Sequence, residues 1–333
     1  MLKQLSNLDG ISGREDLVRS HLLECLKDTP HEITVDSMGN LLVKKGKTIS
    51  EQLMLSAHMD EVGLTITAID KKGMLKFCPV GGIDTRILPG LRVRFGADRM
   101  PGVIGVKPIH LQKKNEQQKP FDPETLYIDA GFSSEEEACR WANVGDYVAF
   151  DVDCISIGTD CYRGKAFDNR AGCMILLKLL LEDNKLNFCA AFTVQEEVGT
   201  RGALIAAYNL KPHFALVVET TAAADTPDNE KKVAGTVLGA GPAISIMDRS
   251  IMVSPQARGN LVALAEKQSL PFQFRRFTGA GTEGGAIAHS GEGVETAVVS
   301  VPCRYIHSPN SIISMWDINN TLNLARAWLE KHQ

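Results

Sequence analysis

QLMLSAHMD, residues 52–60, is the stretch on which the reading of the fold turns. Its first six residues are an apolar run of strand length, and the run stops at a histidine and an aspartate. In an extended chain residues i and i+2 point to the same side, so His58 and Asp60 face one point in space. An imidazole with a carboxylate behind its other ring nitrogen is how metal sites orient a histidine ligand. Taken alone, H-x-D is more often a histidine and an aspartate in a surface turn.

The same grammar recurs along the chain. Phe188–Val194 (FCAAFTV) reads as a buried strand and runs into Gln195-Glu196-Glu197-Val198-Gly199. Two adjacent carboxylates at the end of a buried strand repel each other and resist burial unless a cation is close; a solvated turn is the plainer alternative. Phe214–Glu219 (FALVVE) ends on Glu219, and Thr296–Val301 (TAVVSV) is followed by His307 in YIHSP. A single histidine there is more often structural than a ligand. Asp168 stands directly before Arg170–Leu181, a helix apolar nearly all round, and by itself reads as an N-cap. Four strands ending in His/Asp, Glu/Glu, Glu and His, with a helix starting after Asp168, are too many coincidences. Open α/β sheets bind ligands beyond the carboxyl ends of their strands. The set therefore predicts an α/β fold with one polar site.

Outward from these motifs the chain divides by texture. Residues 1–28 read as helical, broken by the loop Asp9–Gly13, with Ser12 as N-cap, Glu15 completing a capping box, and Val18, Leu22 and Leu26 on one face. His31–Asp36 and Leu41–Lys44 read as strands joined by a turn at Met38-Gly39-Asn40. Between residues 68 and 161 short alternating segments (LRVRF, GVIGV, LYIDA, DYVAFDV) are separated by Gly, Pro and Asp, the pattern of a small all-β barrel or sandwich. Within it, Lys107–Pro123 reads as a polar loop and Ser133–Trp141 as helical. Helix–strand alternation then resumes, with helices at Thr200–Tyr208, Ser254–Gln268 and Asp317–Lys331. The economical organisation is one α/β domain formed by 1–67 and 162–333, interrupted by an all-β insert at 68–161.

Composition excludes several classes. The 333 residues carry 36 basic and 40 acidic side chains, a net charge of -4, and no basic stripe that would serve a nucleic acid. The mean hydropathy is -0.07, and no window approaches the roughly 18 apolar residues of a membrane span. The N-terminus, MLKQLSNLDGISGRE, lacks the apolar centre of a signal peptide, so a soluble cytoplasmic protein is expected. The eight cysteines include no C-x-x-C pair and several lie in apolar runs, where thiols behave as small buried hydrophobes.

In order, AHMDEVG (57–63), KAFDNRAG (165–172), QEEVG (195–199), VVETTAAADTP (217–227) and YIHSP (305–309) resemble the tetrahedral, or TET-type, dinuclear metallo-aminopeptidases. These are glutamyl and deblocking aminopeptidases of the zinc-peptidase superfamily, some formerly labelled endoglucanases. The similarity spans essentially the whole chain, insert included. It implies a mixed-sheet α/β catalytic domain with helices on both faces and two divalent metal ions per subunit. His58, Asp168 and Glu219 would hold one ion, and Asp168 would bridge to a second held by Glu197 and His307. The nitrogen and oxygen donors suit zinc, cobalt or manganese. Asp60 would orient His58, and Glu196 would be the general base, taking a proton from the attacking water and passing it to the leaving amine. Many relatives carry Asp where this chain has Glu219, whose extra methylene alters geometry more than the capacity to ligate. The resemblance further implies short peptide substrates and a homo-oligomer, a hollow tetrahedral dodecamer assembled through the insert.

Two features bear on specificity. The glycine-rich stretch Thr278–Gly285 lacks the order of a phosphate loop; Thr282, Glu283 and Gly284 are candidates to line the substrate pocket, with a plain flexible loop as the alternative. Arg249 in Asp248-Arg249-Ser250 is a further candidate, or part of a surface turn. Three rival readings remain at this level. A related dinuclear amidohydrolase acting on N-acyl amino acids or small amides would use the same ligands. A glycosidase would need two carboxylates about 5–9 Å apart and no metal. A non-catalytic binding protein would not need Glu196.

Overall fold

The computed structural model describes residues 1–333 except 47–51, 113, 115–119, 228–234 and 277–278. The N-terminal segment forms helices α1 (Leu2–Asn7) and α2 (Asp16–Leu26), then strands β1 (Glu32–Val35), β2 (Leu41–Lys45) and β3 (Leu53–His58). Six strands follow: β4 (Gly63–Ile69), β5 (Leu75–Val80), β6 (Arg92–Phe95), β7 (Met100–Gly105), β8 (Tyr127–Asp129) and β9 (Tyr147–Phe150), with the short helix α3 (Glu135–Ala138) before β9. Next come β10 (Ile155–Ile157), β11 (Cys161–Gly164), α4 (Phe167–Leu181), β12 (Phe188–Thr193), α5 (Arg201–Leu210) and β13 (Phe214–Ala222). The chain ends with β14 (Ala243–Ser245), α6 (Pro255–Lys267), β15 (Gln273–Arg275), α7 (Glu283–Ala288), β16 (Glu295–Arg304), β17 (Ser311–Ser314) and α8 (Met315–Lys331).

One eleven-stranded mixed sheet runs β1-β2-β12-β3-β13-β16-β17-β11-β10, with β14 on β16 and β15 on β14. Its centre, β12-β3-β13-β16, is parallel, and its flanks are mostly antiparallel. The parallel strands read as unbroken apolar runs because both faces are covered. Leu53, Leu55 and Ala57 of β3 enter one core with α1, α2, α4, α6 and α8, while Met54 enters a second core with α5 and α7. The period of two therefore sends alternate residues to opposite helical layers. Because the four strands run parallel, their carboxyl ends gather along one edge.

β4-β5-β8-β7-β6-β9 close into a barrel whose interior is filled by Leu64, Ile66, Leu75, Phe77, Val93, Phe95, Ile104, Ile128, Val148 and Phe150. Barrel strands begin at Gly63 and end at Phe150, whereas β10 and β11 belong to the large sheet. The loop expected over Lys107–Pro123 lies partly outside the described residues. Among the described residues no helix is long and apolar enough to cross a membrane.

Ser12 is not the N-cap of α2. That position is Glu15, and the Ser12 hydroxyl instead donates to Asp60 Oδ2 at 2.6 Å. Glu15 turns its carboxylate to the Gly13 and Gln195 amides at 2.7 and 3.1 Å, so a segment read as a local capping box ties two distant turns together.

Candidate metal centre

His58 closes β3 and is 1% exposed. Ser56 pairs with Val217 across β3 and β13, so His58 and Glu219, each two residues on, face the same side as neighbours. His58 Nε2 lies 3.1 Å from Glu219 Oε1 and 3.2 Å from Asp168 Oδ1. The second Asp168 oxygen, Oδ2, lies 3.3 Å from His307 Nε2, itself 3.2 Å from Glu197 Oε1. The Asp168 carboxylate thus stands between two histidine–carboxylate groups and turns one oxygen to each. Within His58–Asp168–Glu219, within Asp168–Glu197–His307 and within His58–Glu196–Glu197, ligand atoms all lie within 4.8 Å of one another.

Local backbone explains the convergence. Asp168 does not cap α4: at φ -83° and ψ 105° it is non-helical, as is Asn169, and Ala166 before it has φ 56°. Gln195 and His307 also adopt left-handed φ values of 56° and 58°. Such conformations cost non-glycine residues on the order of 1–3 kcal/mol each, so the surroundings must hold them. Asp60, fully buried, accepts the Glu196 amide on Oδ1 at 2.9 Å and the Glu197 amide on Oδ2 at 3.1 Å. Asn169 Nδ2 donates to Val218 O at 2.8 Å and to Glu219 Oε1 at 3.2 Å.

Two carbonyls set the histidine tautomers. Asp60 O lies 3.1 Å from His58 Nδ1, and Gly82 O lies 2.7 Å from His307 Nδ1. A carbonyl can only accept, so each Nδ1 carries the proton and donates, and each neutral ring turns its Nε2 lone pair toward two carboxylates. That arrangement repels unless the ring takes a second proton or a cation stands between the groups. Without a cation, protons do the balancing. Burial alone would depress His307, but bonding to Asp168 and Glu197 carries it up to about 11. His58 likewise rises well above its ordinary value, against its own burial, through Asp168, Asp60 and Glu219. Burial pushes Glu219 up to about 7, with Asp168 and Glu283 adding to the rise. Glu196 is raised well above the usual carboxylate range by burial and by Glu219, Glu197 and Asp168.

The donors fit divalent cations. Glu219 Oε2 is buried without a hydrogen-bond partner, and Glu197 Oε1, equally buried, faces the His307 Nε2 lone pair at 3.2 Å, an expensive condition that a cation between the groups would relieve. Two imidazole nitrogens and several carboxylate oxygens, with no thiolate, suit zinc, cobalt or manganese.

The structure brings His58, Asp60, Asp168, Glu196, Glu197, Glu219 and His307 together; of the pocket candidates, Glu283 lies close enough to raise Glu219, and Thr282 and Arg249 make their contacts elsewhere. Thr282 is 2% exposed and donates to Asp248 Oδ2 at 2.7 Å, holding the 248–251 turn. Glu283 is fully buried and accepts from the Ser56 and Thr193 hydroxyls, and a side chain at Gly284 would strike Val298. These contacts fix the start of α7 against the 248–251 turn and the sheet and leave the three residues buried. Arg249 is exposed, with its amide on Ala280 O at 3.1 Å, and Thr278 lies outside the described residues. Asp60 also differs from expectation. His58 Nδ1 meets its main-chain carbonyl at 3.1 Å, with the carboxylate oxygen at 3.4 Å, while that carboxylate mainly holds the 196–197 turn.

Beside the centre sits an ion cluster that sequence reading did not single out. Lys165 Nζ contacts Glu61 at 2.6 and 2.8 Å and Asp9 at 3.3 Å; Arg170 donates to the Met59, Leu5 and Leu8 carbonyls. The cluster ties the exit of β3 to the start of α4, and so His58 to Asp168. Glu61, Lys165 and Arg170 all fall inside the quoted motifs, which was the available signal.

The chain is similar to known proteins over nearly its whole length. The family model described as M42 glutamyl aminopeptidase matches residues 39–324. A putative aminopeptidase of Acetivibrio thermocellus is 39% identical over 329 residues, covering 97% of this chain and 96% of the relative. An aminopeptidase from the archaeon Desulfurococcus kamchatkensis is 37% identical with a TM-score of 0.94, over 99% of this chain and 93% of that one. The TET1 peptidase of Pyrococcus horikoshii, described as assembling into a tetrahedron or a large octahedral shell, is 32% identical with a TM-score of 0.88, over 98% of each chain.

Proposed function

The chain belongs to the M42 glutamyl aminopeptidase family, and from that premise we propose that it is a metal-dependent aminopeptidase that removes N-terminal residues from short peptides. The observation that carries the reading is the Asp168 carboxylate, one oxygen toward His58 and the other toward His307, with buried carboxylate oxygens of Glu197 and Glu219 around it. His58, Asp168 and Glu219 would hold one divalent ion, and Asp168, Glu197 and His307 the other. When bound, two such ions polarise the scissile carbonyl and acidify the attacking water. Glu196 is the general base: its raised affinity for protons suits a group that accepts one from water and releases it to the departing amine. Asp60 keeps Glu196 and Glu197 on their separate tasks by holding both backbone amides. Asn169 steers Glu219 through its Oε1, and the Asp60 and Gly82 carbonyls keep each Nε2 free of hydrogen.

We further propose that the barrel is the oligomerisation module of a TET-like assembly. Ile109, Leu111, Trp141 and Val144 leave large apolar side chains in solvent on this module, which supports contact with other subunits. Eight free cysteines support a reducing, cytoplasmic location.

The test is a peptide-library digest of metal-reconstituted protein, read by mass spectrometry. Stepwise loss from free N-termini, abolished by a chelator and restored by a divalent cation, is expected. Release of acyl groups from N-acetyl amino acids without trimming of free peptides would replace this reading with the amidohydrolase one.

A further inference from the structure

The two histidines of the centre are oriented by different parts of the molecule. The His58 ring is set by the carbonyl of Asp60, two residues on, and Arg170 clamps the intervening Met59 carbonyl at 2.7 Å. Among the described residues, the hydrogen-bond and ion-pair partners of His58 and Glu219 all lie outside the barrel strands. His307 differs. Its Nδ1 is set by Gly82 O at 2.7 Å, across 225 positions of sequence, on the turn that follows barrel strand β5. His307 sits in a left-handed conformation close after Tyr305, which has φ 55°, and keeps 30% of its side chain exposed. The adjoining Gly81 has φ +81°, and a Cβ there would fall 2.8 Å from Val62 Cγ1 and 3.2 Å from Glu197 Cβ. One barrel turn therefore touches the two residues peculiar to the His307 half of the centre.

We propose that Gly82 is a positioning residue and that the barrel, through its 81–82 turn, completes the Asp168–Glu197–His307 half-site while leaving the His58 half-site untouched. The inference rests on the two-cation reading above. The physical reason is tautomeric and steric. The Gly82 carbonyl keeps the proton on Nδ1 and aims Nε2, and Gly81 offers the passage for the turn to lie against Glu197 without a side chain between them. Loss of such an outer partner lowers metal affinity about 10–100-fold. Here the loss should fall on one ion of two.

The test compares Gly81→Ala with Gly90→Ala by zinc titration calorimetry and elemental analysis of chelator-stripped protein, with visible absorption on cobalt(II) loading. Both glycines have φ +81°, but nothing lies within 4 Å of a Cβ at Gly90, so the second variant carries the backbone cost without the intrusion. The unaltered chain and Gly90→Ala should bind two ions with equal affinities. Gly81→Ala should bind one ion as before and the second about 10–100-fold more weakly, the same ion that His307→Ala weakens further. A backbone ester between Gly82 and Ile83 weakens the same carbonyl without added bulk. It should weaken the same ion, and it decides the matter if Gly81→Ala does not fold. Two ions bound with unaltered affinities, or both weakened equally, would overturn the proposal. An unaltered chain that takes up no ion would instead overturn the two-cation reading beneath it.

Discussion

The Arg94 guanidinium of the barrel grips the Asp9 carboxylate of the N-terminal loop through bonds of 2.6, 2.9 and 3.0 Å, with Asp9 1% and Arg94 7% exposed. Removing one partner of a buried pair strands the other charge at a cost of about 3–5 kcal/mol. Lys165 and Arg99 remain 3.3 and 3.2 Å from Asp9, so Arg94→Ala should fall at the low end, about 3 kcal/mol by urea unfolding. Burial opposes ionisation of Asp9, but Arg94, Lys165 and Arg99 together hold it below its ordinary 3.8. Its contribution is therefore present above pH 3.8 and lost as the pH falls through the lower, folded value. The difference between the unaltered chain and Arg94→Ala should shrink in that acid window.

Glu196→Gln tests the base. The amide is nearly isosteric but cannot take a proton, so both ions should remain while kcat falls about 10²–10⁴-fold. Near-normal turnover in the fully loaded variant would remove Glu196 from the role.

Asp60 holds three donors: two backbone amides of the 196–197 turn and the Ser12 hydroxyl. Ser12→Ala removes only the last, a hydrogen bond to a charged group, and should cost about 1.5–3 kcal/mol of stability with both ions retained. Asp60→Asn exchanges one acceptor oxygen for an NH2 donor that faces donors, and should lower metal affinity about 10–100-fold. Titration calorimetry separates the two outcomes; equal metal affinity in both variants would mean the turn is held by other contacts.

Metal and protons compete for one centre. Burial raises Glu219 from 4.5 to about 7, so in metal-free protein its contribution is present below pH 4.5 and is lost as the pH rises through 7. Thermal melts of chelated protein should therefore show a Tm falling from this group between those values. Saturating divalent cation should reverse the trend, with protons released on binding, because the ion occupies the place the proton held. A chelated protein whose Tm climbs smoothly across the same range would contradict this account of Glu219.

Arg249 and Thr282 should separate cleanly. Arg249→Ala touches an exposed side chain and should shift stability by no more than about 0.5 kcal/mol, with kcat/KM on peptides unchanged. Thr282→Ala removes a buried bond to Asp248 and should cost about 1.5–3 kcal/mol, read by denaturant unfolding. A large loss of kcat/KM in Arg249→Ala would return that residue to the substrate site.

Sequence reading located the strand ends because a parallel strand covered on both faces leaves an apolar run that stops abruptly. Hence Leu53–Ala57 and Phe188–Val194 were legible, and with them His58, Glu196 and Glu197. β13 continues to Ala222, so Glu219 lies within the strand and not at its end: Thr220 and Thr221 are buried polar residues that hydropathy alone mistakes for a boundary. For Thr282 and Glu283 the partners were not legible: polar side chains beside glycines suggest a binding loop, while the groups they bond to, Asp248, Ser56 and Thr193, lie far away in sequence.

By itself the sequence determined the chemistry available to this protein: which donors exist, in what order, on which kinds of element, and that no thiol pair competes with them. Those properties follow from residue type and short-range periodicity. Tertiary structure alone decided how the donors are shared. That Asp168 gives one oxygen to each histidine, that Asp60 serves two backbone amides, and that a barrel carbonyl sets the His307 tautomer all depend on contacts between segments 100 or more positions apart. Local preference carries no information about such contacts, because they exist only once the packed sheet and barrel bring the segments within hydrogen-bond range.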